Sequence, residues 1–313
     1  KIIKMTKLFK FQRVCLLSTM FILFSCNHKD YTYQKHSSAN KDLDYYLVED
    51  EEKNIEYKVY FDKKNENAAI EAINHLNTIY REVLKFYISN GEKIDWADIA
   101  FVNDTTYLAP AFGTTRWIIQ NQTENLSQKA EKQLYDLIGH EQVHAWQKQF
   151  ATCNDLPRWF EEGQAVWLES KVAYNLQPKV FKEMLNSRKE QYDKVIKEDG
   201  KLNLASWGGI TVKSGSIRKQ LTPEGQKYFD ENGRTPPGAT FSISPEDMIE
   251  DNVNQSARYY GSYLLFKKLE EKMGMEKLKE WVYDTLQNTP CESEVLVKKL
   301  KKQYNLDISK DLI

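Results

Sequence analysis

Cysteine and histidine are scarce in this chain, and long apolar runs are missing altogether. Four cysteines in 313 residues exclude a fold held together by many disulfides. The most apolar stretch, VCLLSTMFILF at residues 14–24, has eleven residues, about half of what a helix needs to cross a bilayer. Net charge is small as well: the formal value is -1, and it is -6 once Lys1, Lys4, Lys7, Lys10 and Arg13 are set aside. Such a surface offers nothing to a polyanion, so no nucleic-acid partner is expected. A glycine-rich phosphate loop, a nucleophile elbow and internal repeats are absent from the sequence too. What is present is ordinary globular usage, 41% hydrophobic and 28% charged, enough for a sizeable core in one or two domains.

The first 25 residues read as an address. Met5 reads as the initiator, a basic stretch runs through Arg13, and the short apolar run after it suits a signal h-region. The residues LFSC at 23–26 resemble the lipobox of bacterial lipoproteins. That resemblance implies cleavage before Cys26, lipid on Cys26, and export to a periplasmic or cell-surface face with anchoring to a bacterial membrane. Residues 26–54 are expected to form a flexible tether, because NHKDYTYQKHSSANKDLD at 27–44 is polar and lacks periodicity. Cys15 would leave with the signal, which assigns Cys153 and Cys291 to the folded part. An oxidising compartment permits a disulfide between them, and two buried thiols are the equal alternative.

In the body, IEYKVYF at 55–61 alternates as a strand, and residues 68–87 carry a helical stripe that Asn90-Gly91 stops. Residues 97–102 and RWIIQ at 116–120 read as two more strands. Ser127 then reads as the N-cap of a long helix that holds HEQVH, residues 140–144, at its middle. At i and i+4, His140 and His144 project from one helix face, so two imidazole nitrogens can reach one ion about 2.0–2.1 Å from each. Glu141, one step around, is placed to reach a water there as a general base. A zinc site needs a third ligand, and the helix opened by Leu156-Pro157 carries Glu161 and Glu162 in its first turns. Adjacent helical residues point about 100° apart, so one of the two faces the histidines, and local pattern does not choose between them.

HEQVHAW followed by WFEEGQAVWLE resembles the gluzincin metallopeptidases, the clan of thermolysin and the zinc aminopeptidases. The resemblance implies zinc on His140, His144 and Glu162, the glutamate just before Gly163, with Glu141 as general base and Glu169 matching the clan's later glutamate. Glu161 stands where the aminopeptidases have asparagine, and the spacing from His144 to Glu162 is about a residue short, a change confined to a connecting loop. With lower specificity, residues 254–282 are similar to the helix pair that follows the active site in such enzymes. There a tyrosine ten residues before a helical leucine donates to the reacting carbonyl; counting back from Leu269 gives Tyr259, with Tyr260 as the fallback, and aromatic packing is the plain alternative for either. RWIIQ resembles the edge strand of the substrate cleft, and sheet interior is its alternative.

The implied fold is α+β and zincin-like, of thermolysin type, over residues 55–313: a mixed sheet, an active-site helix and a C-terminal helical lobe. Residues 177–252, helical to about Lys197 and then rich in turns, form a cleft-covering insertion or a small subdomain. The implied activity is zinc-dependent hydrolysis of a peptide or protein substrate. The alternative is an exported binding lipoprotein with a structural or vestigial zinc site. Trp146, Trp159 and Trp167 are expected in the core rather than on a carbohydrate platform. Of the last helix, Val297, Leu300 and Tyr304 are expected to pack inward beneath solvated lysines. His75 is expected to be exposed.

Overall fold

The computed structural model describes residues 31–38, 43–50, 52, 54–103, 116–152, 156–208, 211–212, 214–232, 248–249, 254–288 and 292–312. The expected signal segment, Cys26, Cys153 and Cys291 lie outside the described residues.

The architecture is α+β around a mixed five-stranded sheet in the order β1-β2-β3-β4-β5. Strands β1 (Thr32–Ser37), β2 (Asp44–Asp50) and β3 (Ile55–Phe61) pair antiparallel. Strands β4 (Asp98–Val102) and β5 (Arg116–Gln120) continue the sheet in parallel with β3. Parallel neighbours need a crossover, and helix α1 (Glu66–Leu84) supplies it between β3 and β4. Its stripe of Ala69, Ala72, Ile73, Leu76, Ile79, Tyr80 and Val83 is fully buried. The hydroxyl of Tyr80 donates to the Ala97 carbonyl at 2.7 Å, which ties the helix to the entry of β4. Asn90 at φ 50° and Gly91 at φ 88° then turn the chain in the left-handed region.

The expected tether is corrected here, because residues 32–37 and 44–50 are strands and the sheet begins well before Ile55. The physical reason is position. β1 is an outer strand with mostly exposed side chains, held by its backbone pairing with β2 and by aromatic contacts such as Tyr33 on Tyr46 at 5.3 Å. An edge of that kind needs no apolar alternation.

Helix α2 is one rod in three parts: Gln128–Gln133, a π-helical turn over Leu134–Ile138, and Gly139–Phe150. Ser127 caps it, its side chain accepting from the Ala130 N–H at 3.2 Å. The π turn inserts extra residues ahead of His140 and so shifts the phase of the downstream face, a feature that side-chain periodicity does not announce. Helix α3 (Arg158–Leu176) follows, then α4 (Pro178–Asp199), which packs against α3. Two short helices, α5 (Ser214–Gln220) and α6 (Pro223–Asn232), and the two-residue strands β6 (Thr211–Val212) and β7 (Met248–Ile249) complete the described part of the intervening region. Helices α7 (Gln255–Met273), α8 (Met275–Gln287) and α9 (Ser293–Tyr304) form the C-terminal lobe.

One apolar core joins the sheet, α1, α2, α3 and this lobe. Trp146, Trp159 and Trp167 are all buried in it. Tyr87 stacks on Trp146 with ring centroids 4.7 Å apart, a pair worth about 0.5–1.5 kcal/mol beyond its area. In α9, Leu296 and Leu300 are buried, with Val297 and Tyr304 packed against the same core. His75 departs from expectation: it is partly buried, its Nδ1 lying 2.7 Å from the Tyr135 hydroxyl. No helix among the described residues is long and apolar enough to cross a membrane.

Candidate metal centre

Two helices build the site. On α2, His140 and His144 stand one turn apart with their Nε2 atoms 3.2 Å from each other. On α3, Glu162 points its Oε2 between them, 3.3 Å from His140 Nε2 and 3.4 Å from His144 Nε2. One glycine is required by the packing behind the site. A Cβ on Gly139 would lie 3.5 Å from the Glu169 backbone, an ordinary contact between α2 and α3 beside His140. A Cβ on Gly163 would lie 2.8 Å from the Phe266 ring, so α7 closes on α3 directly behind Glu162.

The outer nitrogens are committed elsewhere. His140 Nδ1 lies 3.0 Å from Glu169 Oε2, and that oxygen also meets Arg188 of α4 at 3.3 Å. His144 Nδ1 lies 2.8 Å from Gln147 Oε1. With both Nδ1 atoms committed outward, each Nε2 faces Glu162 Oε2, and it offers a lone pair there once the proton that His140 keeps in the metal-free protein is displaced. Three acceptors facing one another call for a cation. Their 3.2–3.4 Å separations match the roughly 3.3 Å edges of a tetrahedron with bonds of about 2.0–2.1 Å, so the donor set fits zinc.

Glu161 is turned to the other side of His144, its Oε1 3.9 Å from Nδ1, where Gln147 already sits. Adjacency on the helix left the two glutamates open; rotation of α3 brings Glu162 to the histidines. Glu141 has a carboxylate oxygen within 4.8 Å of the imidazole nitrogens and lines a cleft of about 610 Å³ with His144, Glu162, Arg158, Asp95 and Trp117.

Electrostatics follow from this crowding. Burial pulls the His140 pKa down, but the carboxylates of Glu162 and Glu169 outweigh it and hold the imidazole up at about 10 in the metal-free protein. Burial would raise Glu162, and its contacts with His140 and His144 override that and keep the carboxyl well below its usual range. Glu141 goes the other way: burial raises it, and the pull of the two histidines does not cancel the effect.

Tyr259 reaches the site from α7, its ring 6.2 Å from that of His140. Its hydroxyl lies 3.5 Å from Arg158 Nη2 and 3.4 Å from Gln255 Nε2. Tyr260 faces away, packing on Tyr192 and Tyr263. Among the described residues β5 is the outermost strand of the sheet, and its Trp117 lies in the cleft wall. From the intervening region, Trp207 packs on Tyr259 and beneath Arg158.

Four residues went unsingled in the sequence. Gln142, inside HEQVH, accepts from the Ala97 N–H at 2.8 Å and donates to the Asp95 carbonyl at 2.9 Å, docking the motif helix on the sheet. Gln147 holds His144. Arg158 and Arg188 pair with Glu162 and Glu169, at 3.0 and 3.3 Å. The local signal for three of them is chemical, glutamines on a buried helix face and Arg158 at the start of a helix; Arg188, in the middle of α4, carries none.

No protein-family profile matches the chain, and no curated protein does. Among solved structures it is similar to yeast LTA4 hydrolase in complex with bestatin, at 15% identity and a TM-score of 0.43, covering 82% of this chain and 36% of that one. It is also similar to a mutant of a two-domain M1 zinc metallopeptidase bound to L-tryptophan, at 12% identity and a TM-score of 0.44, covering 90% of this chain and 50% of that one. The chain thus spans half or less of the length of these two proteins.

Proposed function

We propose that this chain is an exported, lipid-anchored, zinc-dependent peptidase in which His140, His144 and Glu162 hold one ion and Glu141 is the general base. The observation that carries the reading is the meeting of three inward-facing acceptor atoms 3.2–3.4 Å apart, at the wall of an open cleft that Glu141 also lines. When bound, a zinc ion supplies Lewis acidity, lowering the pKa of a water to about 7 and polarising a carbonyl oxygen.

The chain's own groups do the rest. Glu141 takes the proton of the water as its oxygen attacks the amide carbon, and later gives that proton to the leaving nitrogen. Its burial-raised pKa moves it toward neutrality, where accepting and returning a proton are both accessible. Glu169 and Gln147 hold the two imidazoles in the tautomer that leaves Nε2 free. Tyr259 is the candidate donor to the carbonyl oxygen as charge builds there, a contribution of about 3–4 kcal/mol for a single well-placed donor. Among the described residues β5 is the outermost strand of the sheet, a position that suits an extended peptide added as a further strand. Anchoring rests on the LFSC motif at Cys26.

The test is zinc content and hydrolysis of a broad peptide library by the parent and by Glu141→Gln. Both proteins should bind zinc, and the variant should cleave about 10²–10⁴-fold more slowly. Stoichiometric zinc with no cleavage by the parent would contradict the enzyme reading in favour of a binding lipoprotein.

A further inference from the structure

Arg158 is a costly residue where it stands. It opens α3 directly after the Pro157 N-cap, so its charge lies at the positive end of the helix dipole. Its i,i+4 pairing with Glu162 runs in the weaker order, cation before anion. Its side chain is 17% exposed, and its buried Nε has no hydrogen-bond partner among the described residues. Helix stability alone favours an acid or a small polar residue there.

What Arg158 touches accounts for its presence. Nη2 lies 3.0 Å from Glu162 Oε1 and 3.5 Å from the Tyr259 hydroxyl. The guanidinium also lies over Trp207, with the ring centroid 5.3 Å away. With Oε1 engaged by the arginine, Oε2 is the oxygen of Glu162 that meets the histidine pair. We propose that Arg158 is a positioning residue that fixes which oxygen of Glu162 is presented to the metal and, through the same guanidinium, places the Tyr259 hydroxyl.

This inference rests on the zinc reading above, and its test separates the two. The zinc dissociation constant is measured by competition with a chromophoric chelator for the parent, Arg158→Lys and Arg158→Gln, together with the melting temperature of each metal-free protein. Arg158→Gln should weaken zinc binding roughly 10–100-fold. Arg158→Lys, which keeps the charge but not a planar fork able to meet two partners, should lose less. The metal-free melting temperature of Arg158→Gln should stay level or rise, because a cation leaves the helix start, and that of Arg158→Lys should stay level; where the parent is active, kcat should fall more than KM rises. Unchanged zinc affinity in both variants overturns the proposal. Equal losses in both, tracking a drop in metal-free melting temperature, also overturn it, since they describe a packing residue. Absence of zinc from the parent removes the zinc reading itself, and the Arg158 role with it.

Discussion

Replacing Gln147 with leucine removes one amide and leaves three partners facing apolar atoms. The amide is almost completely buried; its Oε1 meets His144 Nδ1 at 2.8 Å, and its Nε2 donates to the Glu161 carbonyl at 2.9 Å and to Gln164 Oε1 at 2.8 Å. At about 1 kcal/mol net per hydrogen bond the loss is about 3 kcal/mol, and stranding buried donors and acceptors moves it toward 5. Leucine fills most of the volume, so no large cavity term is added. For a domain of this size, with about 2–4 °C per kcal/mol, the metal-free protein should melt at least 6 °C lower. Zinc affinity should fall roughly 10–100-fold, because the His144 ring is then free to turn and to change tautomer. Gln147→Glu separates the two effects. It keeps an acceptor for His144 but aims a carboxylate at two oxygens, so it should lose stability while retaining more of the metal affinity than leucine does. Scanning calorimetry and chelator competition read both quantities. A melting temperature within about 1 °C of the parent together with zinc affinity within about twofold would refute the reasoning.

Gly163→Ala puts a methyl 2.8 and 2.9 Å from two atoms of the Phe266 ring and 3.1 Å from Ser262 Cβ. The α3–α7 packing must give, at about 1–3 kcal/mol; a variant that melts higher, as alanine would in an unopposed helix, would contradict this close approach. His140 sets a pH dependence of the metal-free protein. Its pKa is raised from 6.5 to about 10, so its stabilising contribution is complete below pH 6.5 and is lost as pH rises through about 10. Zinc must displace that proton, so apparent affinity should climb about tenfold per pH unit between 7 and 9. A pH-independent affinity over that range, measured by chelator competition, would contradict it.

Much of the site was legible because its chemistry is local. HEQVH needs just an i,i+4 helical repeat to bring His140 and His144 to one face, and Ser127 announces the helix that carries them. The choice of Glu162 over Glu161 is a matter of how α3 is rotated against α2, which neighbouring residues do not encode; the resemblance to gluzincins pointed to the residue that the packing brings there. Tyr259 and Tyr260 differ in the same way, one facing His140 and the other Tyr192. The supporting polar residues were hidden because their partners are distant in the chain, as with Arg158 and Tyr259, 101 positions apart. The π turn and strand β1 escaped for another reason: neither writes an apolar period into the sequence, while the short apolar run YYLV of β2 sits between polar flanks.

The most direct measurement is the zinc content of dialysed parent, Glu162→Ala and Glu161→Ala protein by elemental analysis. One equivalent is expected in the parent, one in Glu161→Ala and essentially none in Glu162→Ala. A full equivalent retained by Glu162→Ala, or metal lost from Glu161→Ala instead, would contradict it.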